Sequence, residues 1–214
     1  MSEPITYVTD WERRHVTWTL PENTAHIRVE VVTSGAGTAW ADCFQLESGY
    51  TMNEYNLLEN SDFANGSTCW SASNTTSADG VANYNDSTGD AYRLYGSADL
   101  NKLAYQKVFV NKKAGDIVFR ISGNARGNAV PLKGDRHFAI GLHTKYSDGT
   151  NTYNWKEFNT DVTEWQFTTE AYPYSSENAS KTIAYVYYRL IYYGQENRAW
   201  FDNVQLSIDQ TGTT

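Results

Sequence analysis

An antiparallel sandwich of short β-strands is the fold class that the sequence predicts, and three observations predict it. Charged residues are only 20% of the 214, while 16 Tyr, 7 Trp and 15 Gly are present. That balance suits pleated, half-buried surfaces joined by tight turns. No stretch places apolar residues at i, i+3, i+4 and i+7 over three turns, as an amphipathic helix would. Alternating apolar and polar runs recur instead, divided by turn pairs such as Asn65-Gly66, Asp79-Gly80 and Asp148-Gly149.

The elements follow in order, beginning with a repeat. Ala39-Trp40-Ala41-Asp42-Cys43-Phe44-Gln45-Leu46-Glu47 corresponds to Ala199-Trp200-Phe201-Asp202-Asn203-Val204-Gln205-Leu206-Ser207. Upstream of each copy, Val8-Thr9-Asp10-Trp11 corresponds to Val162-Thr163-Glu164-Trp165. Residues 1–50 therefore read as the C-terminal fragment of one module. Residues 51–55 read as a linker, 56–208 as a complete module and 209–214 as a tail. In the fragment, Val16, Trp18 and Leu20 alternate with Thr17 and Thr19, and Ile27, Val29 and Val31 alternate with Arg28 and Glu30. With the strand at Trp40 to Leu46 these make a meander of about three strands. Such a meander has no opposing layer of its own. It is expected to pack on the second module or to swap into a second copy of the chain, giving a homodimer. In the complete module, strands are predicted at about 92–95, 103–110, 116–122, 137–145, 153–158, 164–170, 183–192 and 199–207.

Composition also restricts partners. The formal net charge of −8 and pI near 5.0 argue against nucleic acid and anionic membranes, since neither is attracted to an acidic surface on average. No apolar run is long enough for a membrane-spanning helix, so membrane insertion is not expected. Cys43 and Cys69 cannot form a disulfide framework or a four-ligand zinc site. No Gly-x-Ser-x-Gly, His-Glu-x-x-His or Gly-rich phosphate loop occurs. Glu157, Asp161 and Glu164 cluster on a polar stretch that reads as a solvated edge. The expectation at this level is that the chain is not an enzyme.

The junction Gln45 to Phe63, with its Asn56-Leu57-Leu58-Glu59-Asn60-Ser61-Asp62-Phe63 opening, then Cys69-Trp70, and the closing Ala199 to Leu206 resemble the seam and ends of tandem carbohydrate-binding modules. These are of the type grouped in families four, nine and twenty-two, as found in large clostridial-type surface proteins bearing Rhs or YD repeats. Ser61 and Cys69 depart from that pattern, where glycine is usual. The resemblance implies a jelly-roll sandwich, one structural calcium ion, non-catalytic binding of an oligo- or polysaccharide, and a place in a secreted or surface-attached protein. The alternative reading is a structural spacer or protein-adhesion module with no sugar affinity.

Candidate site residues follow from alternation. If Val186, Tyr188 and Leu190 face the core, then Tyr185, Tyr187 and Arg189 project from the opposite face as two stacking rings and a guanidinium. If Phe138, Ile140 and Leu142 point inward, Ala139 and Gly141 leave a hollow beside His143. Trp155 offers a further ring, or else packs structurally. Trp70, Trp165 and Trp200 fall at motif positions and read as packing residues. For calcium, Asp202 is the side-chain candidate, and the resemblance brings Glu59, Asn60 and Asp62 beside it. Alternatively, Asp202 bonds the amides of a turn.

Overall fold

Strands form where alternation finds an opposing layer to take its apolar side. The computed structural model describes residues 21, 23–33, 38, 56–83, 90–130 and 136–210. By its internal contacts the chain divides into two units, Met1–Gln45 and Leu46–Thr214. In the first unit, Thr24 donates from N and Oγ1 to the Pro21 carbonyl, closing a turn. Residues 25–33 carry no regular secondary structure and are exposed. The strand expected around Ile27 to Val31 is thus not formed, and Ile27, Val29 and Val31 stand 44–56% exposed. Alternation alone is too weak to order a strand whose apolar side is left in water. The first copy of the repeated motif, the Val16 to Leu20 strand, the Tyr50 to Tyr55 linker and Cys43 lie outside the described residues.

The described residues of the second unit form ten strands: β1 Ser71–Ser73, β2 Gly80–Asn83, β3 Asp90–Tyr95, β4 Asn101–Lys113, β5 Ile117–Asn128, β6 His137–Tyr146, β7 Asn151–Glu157, β8 Gln166–Pro173, β9 Thr182–Tyr193 and β10 Arg198–Gln210. They form two five-stranded sheets, β1-β4-β9-β6-β7 and β2-β3-β10-β5-β8, and every pairing is antiparallel. This is the all-β sandwich the sequence predicts. All eight strands expected for this unit are present. The two short edge strands β1 and β2 were not foreseen, because three or four residues carry no readable alternation.

The core lies between the sheets. Val186, Tyr188 and Leu190 of β9 and Phe138, Ile140 and Leu142 of β6 are at most 1% exposed, facing Phe119, Ile121, Ala125, Phe201 and Leu206 of the other sheet. Tyr188 crosses the sandwich and donates its phenol to the Ser122 carbonyl at 2.9 Å. A Cβ on the neighbouring Gly123 would come to 3.0 Å from Val204 Cγ1, so glycine leaves room for that core side chain. Burial raises the Tyr188 phenol well above its ordinary pKa.

The end of the sandwich is closed by an ion pair. Lys102 of β4 reaches Asp79, just before β2 in the other sheet, at 2.7 Å, with the two side chains 3% and 1% exposed. Asp79 also accepts from the Thr76 and Tyr95 amides. Burial acts to raise the Asp79 carboxyl, yet the Lys102 ammonium and these amides outweigh it and hold the carboxyl below its ordinary value.

Ahead of β1, the side chain of Asn60 organises the turn. It donates to the Gly66 and Thr68 carbonyls and accepts from the Asn65 amide, while Trp70 Nε1 donates to the Asn60 carbonyl. Cys69 sits here at φ 70, a left-handed conformation that glycine adopts without strain. In β10 the register against β5 shifts between Asp202 and Gln205, with Asn203 at φ 47. This bulge lets Phe201 and Val204, three residues apart, both face the core.

Three outcomes are expected. Lys102→Met leaves Asp79 buried without its cation and should cost about 3–5 kcal/mol in urea unfolding. Because the Asp79 pKa is depressed on folding, its contribution is present above the unfolded carboxyl pKa and is lost as pH falls through the folded value. Asp79→Asn should therefore flatten the acid limb of the stability curve. Cys69→Gly should raise stability by about 1 kcal/mol by relieving the left-handed backbone; an unchanged melt under reducing conditions would refute that strain.

Candidate binding face

The outer face of the β1-β4-β9-β6-β7 sheet is built by the residues that alternation turns away from the core. Along β9 these are Tyr185, Tyr187, Arg189 and Tyr193. In the ladder, Tyr185, Tyr187 and Arg189 stand opposite Phe109, Lys107 and Tyr105 of β4 and opposite Lys145, His143 and Gly141 of β6. β7 adds Tyr153 beside His143 and Trp155 beside Gly141. The five residues singled out from sequence, Tyr185, Tyr187, Arg189, His143 and Trp155, therefore share one face.

The rings interlock. Tyr187 lies edge-on to Tyr105 at 5.3 Å and to Tyr185 at 5.4 Å, and His143 stacks on Tyr153 at 4.2 Å. The Lys107 ammonium sits 3.9 Å from the Tyr185 centroid. Arg189 donates to the Tyr193 hydroxyl and lies 5.8 Å from the Tyr153 centroid. Burial, followed by the charges of Arg189 and Lys145, lowers the His143 pKa against the effect of an Asn151 hydrogen bond, favouring the neutral imidazole. His137 Nδ1 meets Glu157 Oε1 at 2.6 Å, and the same carboxylate accepts from the Phe138 amide. His137 also packs against Trp155 at 4.9 Å and Tyr193 at 6.1 Å.

The hollow expected beside His143 is filled. A Cβ on Gly141 would meet the Asn154 carbonyl at 2.6 Å, Trp155 Cβ at 2.9 Å and Ile191 Cδ1 at 3.0 Å. Neighbouring strands lean their side chains over small residues, which period-two reasoning along one strand does not register. Trp155 is 44% exposed and Tyr153 52%, so both offer open ring surface. Tyr105, Lys107, Lys145, Tyr153 and Tyr193 were missed because only the ladder register sets them beside β9.

Chemically, the face can stack planar rings or the apolar side of a sugar. It can hold an oxyanion with Arg189 and the lysines, and it can shuttle a proton through His137 and Glu157. Glu157, at the end of β7, is engaged by His137.

The calcium candidates sit apart from this face. Segment 56–61 lies along β10 through bonds of Leu57 to Leu206 and Val204 to Ser61. Asp202 binds the backbone and side-chain nitrogens of Asn203, Asp62 accepts from the Ala64 amide, and Glu59 accepts from Cys69 Sγ. No group of three or more His, Cys, Asp or Glu among the described residues is arranged to hold a metal. Asp202 bonds the backbone amide of Asn203, the turn contact offered above as its alternative role. Burial pushes the Asp202 carboxyl up to about 6; Asp62 and Asp90 add repulsion, while the Asn203 amide opposes the rise.

No protein-family model matches the chain. It is 25% identical over 205 residues to the tRNA(Glu)-specific nuclease WapA of Bacillus subtilis subsp. natto, covering 92% of this chain and 8% of that protein. The identity and coverage are the same for the tRNA nuclease WapA of Bacillus subtilis strain 168. The chain thus spans about 8% of the length of these curated relatives. Among solved structures, it superposes at TM-score 0.52 and 15% identity on a Stig cyclase of Fischerella sp. TAU, covering 73% of this chain and 98% of that one. It also superposes at TM-score 0.51 and 12% identity on the CBM22-1–GH10 modules of a Clostridium thermocellum xylanase, covering 75% and 29%. The fold is that of the carbohydrate-binding-module sandwich.

The nuclease relatives overturn the expectation of non-catalytic carbohydrate binding in a protein that is not an enzyme, and with it the spacer alternative. The motifs that carried the expectation fix strand ends and turns, and a sandwich is compatible with many activities. The exclusion of nucleic acid conflicts with the same relatives. Net charge averages over a whole surface, whereas this face gathers three cations.

Because the Asp202 pKa is raised on folding, its favourable contribution is complete below the unfolded value and is lost as pH rises through about 6. Asp202→Asn is therefore expected to raise the melting temperature at pH 7 and not at pH 4. An equal effect at both would refute the burial argument. Calcium that raised the wild-type melt but not that of Asp202→Asn would mark a bound ion.

Proposed function

We propose that this chain is part of an RNA-cleaving protein similar to WapA, and that the outer face of the β9 sheet is where it holds RNA. The observation that carries the proposal is the concentration of Lys107, Lys145 and Arg189 among open aromatic rings in a chain of net charge −8. Rings at this spacing suit unpaired bases, which stack on any aromatic face, and the cations suit the phosphates between them. The match to tRNA nucleases over 92% of the chain supports the same reading. Since the chain spans 8% of those relatives, the activity is proposed for the whole protein and the contact surface for this segment.

The test is cleavage of purified tRNA by the whole protein, with tRNA binding by this chain measured alongside. Tyr187→Ala should weaken binding by about 1–3 kcal/mol through loss of a stacked base. Arg189→Ala should weaken it across sequences and reduce the slope of log K against log salt by about 1. His137→Gln removes the acid–base pair of the face, so an unchanged kcat would limit the face to holding RNA. A whole protein that leaves tRNA intact would overturn the activity. Affinity untouched by Tyr187→Ala and Arg189→Ala would overturn the surface.

A further inference from the structure

The outer face of the other sheet carries a second cationic cluster that the reading above does not use. Ala199 and Phe201 of β10 are fully buried in the core, so alternation turns Arg198 and Trp200 to the outside. In the ladder Trp200 is flanked by Arg93 of β3 on one side and Arg126 of β5 on the other. The Arg93 and Arg198 guanidiniums lie 5.3 and 5.9 Å from the Trp200 centroid. Although it points away from the core, Trp200 is only 5% exposed. Beside it opens a cavity of about 120 Å³ lined by Arg126, Gly127, Asn128, Thr163, Arg198 and Trp200. That is ample for a group of several heavy atoms, since one water needs roughly 10–15 Å³.

Each guanidinium is held in place. Arg93 donates from Nε and Nη2 to the Ala78 carbonyl, and Arg198 donates to the Tyr95 hydroxyl at 3.4 Å. Arg126 meets Glu164 at 3.3 Å, and that carboxylate's side chain is 77% exposed. A pair open to water in this way contributes little, so Glu164 is a weak competitor for a stronger anion. Two arginines line the cavity, Arg126 of β5 and Arg198 of β10, with Arg93 of β3 on the other side of Trp200 and Glu164, ahead of β8, against Arg126. Guanidinium forks match the oxygens of a phosphate, and Asn128 and Thr163 add neutral hydrogen-bonding groups at the rim.

We propose that this cavity is a binding site for a phosphate group, with Arg126 and Arg198 as its direct ligands, Arg93 reinforcing the field and Trp200 as its apolar wall. The site stands on the opposite sheet and does not rest on the RNA reading of the β9 face. It is tested by calorimetric titration of the chain with inorganic phosphate at low ionic strength. Saturable binding is expected, weakened about tenfold or more by Arg126→Gln or Arg198→Gln. Tightening by a few-fold is expected in Glu164→Gln, which removes the competing carboxylate on an exposed side chain and leaves the fold intact. Lys113→Gln, at the exposed end of β4, should change nothing. Absence of saturable binding, affinity indifferent to all three site variants, or acetate bound as tightly as phosphate would each overturn the proposal. The source is read from two further titrations. A 5′-phosphorylated ribodinucleotide that binds more tightly than inorganic phosphate indicates an RNA terminus, and one that binds more weakly indicates free phosphate.

Discussion

The register of β9 is the constraint on which the rest depends. It is hydrogen-bonded on both sides, to β4 and to β6, so its alternation sets which side chains of three strands point inward. A slip by one residue would carry Tyr185, Tyr187 and Arg189 into the core and turn Val186, Tyr188 and Leu190 to water. Tyr188 holds the register from within. Its phenol reaches the Ser122 carbonyl in the opposite sheet, an interaction available only when this residue, and not its neighbours, faces the core. The binding face is therefore a consequence of core packing and not a separate device.

Charge is distributed to the same effect. The chain is acidic as a whole, yet cations gather on the outer faces of both sheets: Lys107, Lys145 and Arg189 on one, Arg93, Arg126 and Arg198 on the other. Two carboxylates of one stretch of chain meet bases of these sheets, Glu157 at the end of β7 with His137 and Glu164 just before β8 with Arg126. A partner close to either face meets the local field, which the Debye length of about 8 Å at physiological salt separates from the remaining charge. Arguments from net charge therefore govern solubility and long-range approach better than they govern contact.

The comparisons separate fold from activity in the same way. One sandwich is shared with a cyclase and with a xylanase module at 15% and 12% identity, while the sequence relatives are nucleases. In this chain the closing β10 motif carries the register shift between Asp202 and Gln205. The motif is a structural signature, and a function inferred from it inherits only the fold.

The sequence by itself determined the all-β class, the eight long strands of the second unit, and the inward and outward sides of β6 and β9, because these depend on neighbours two residues apart in the chain. It also marked Cys69 as a departure, and the structure finds it at a glycine-favouring φ of 70. Only the tertiary structure decided which strands lie side by side, and hence that Tyr105, Lys107 and Tyr153 complete the face of β9. It likewise decided that Trp155 and Ile191 close the space over Gly141, and that Trp200 is sheathed by arginines on the outside of a sheet and not by the core. Each of these is a contact between residues far apart in sequence. Local periodicity fixes the direction of a side chain but not what it meets.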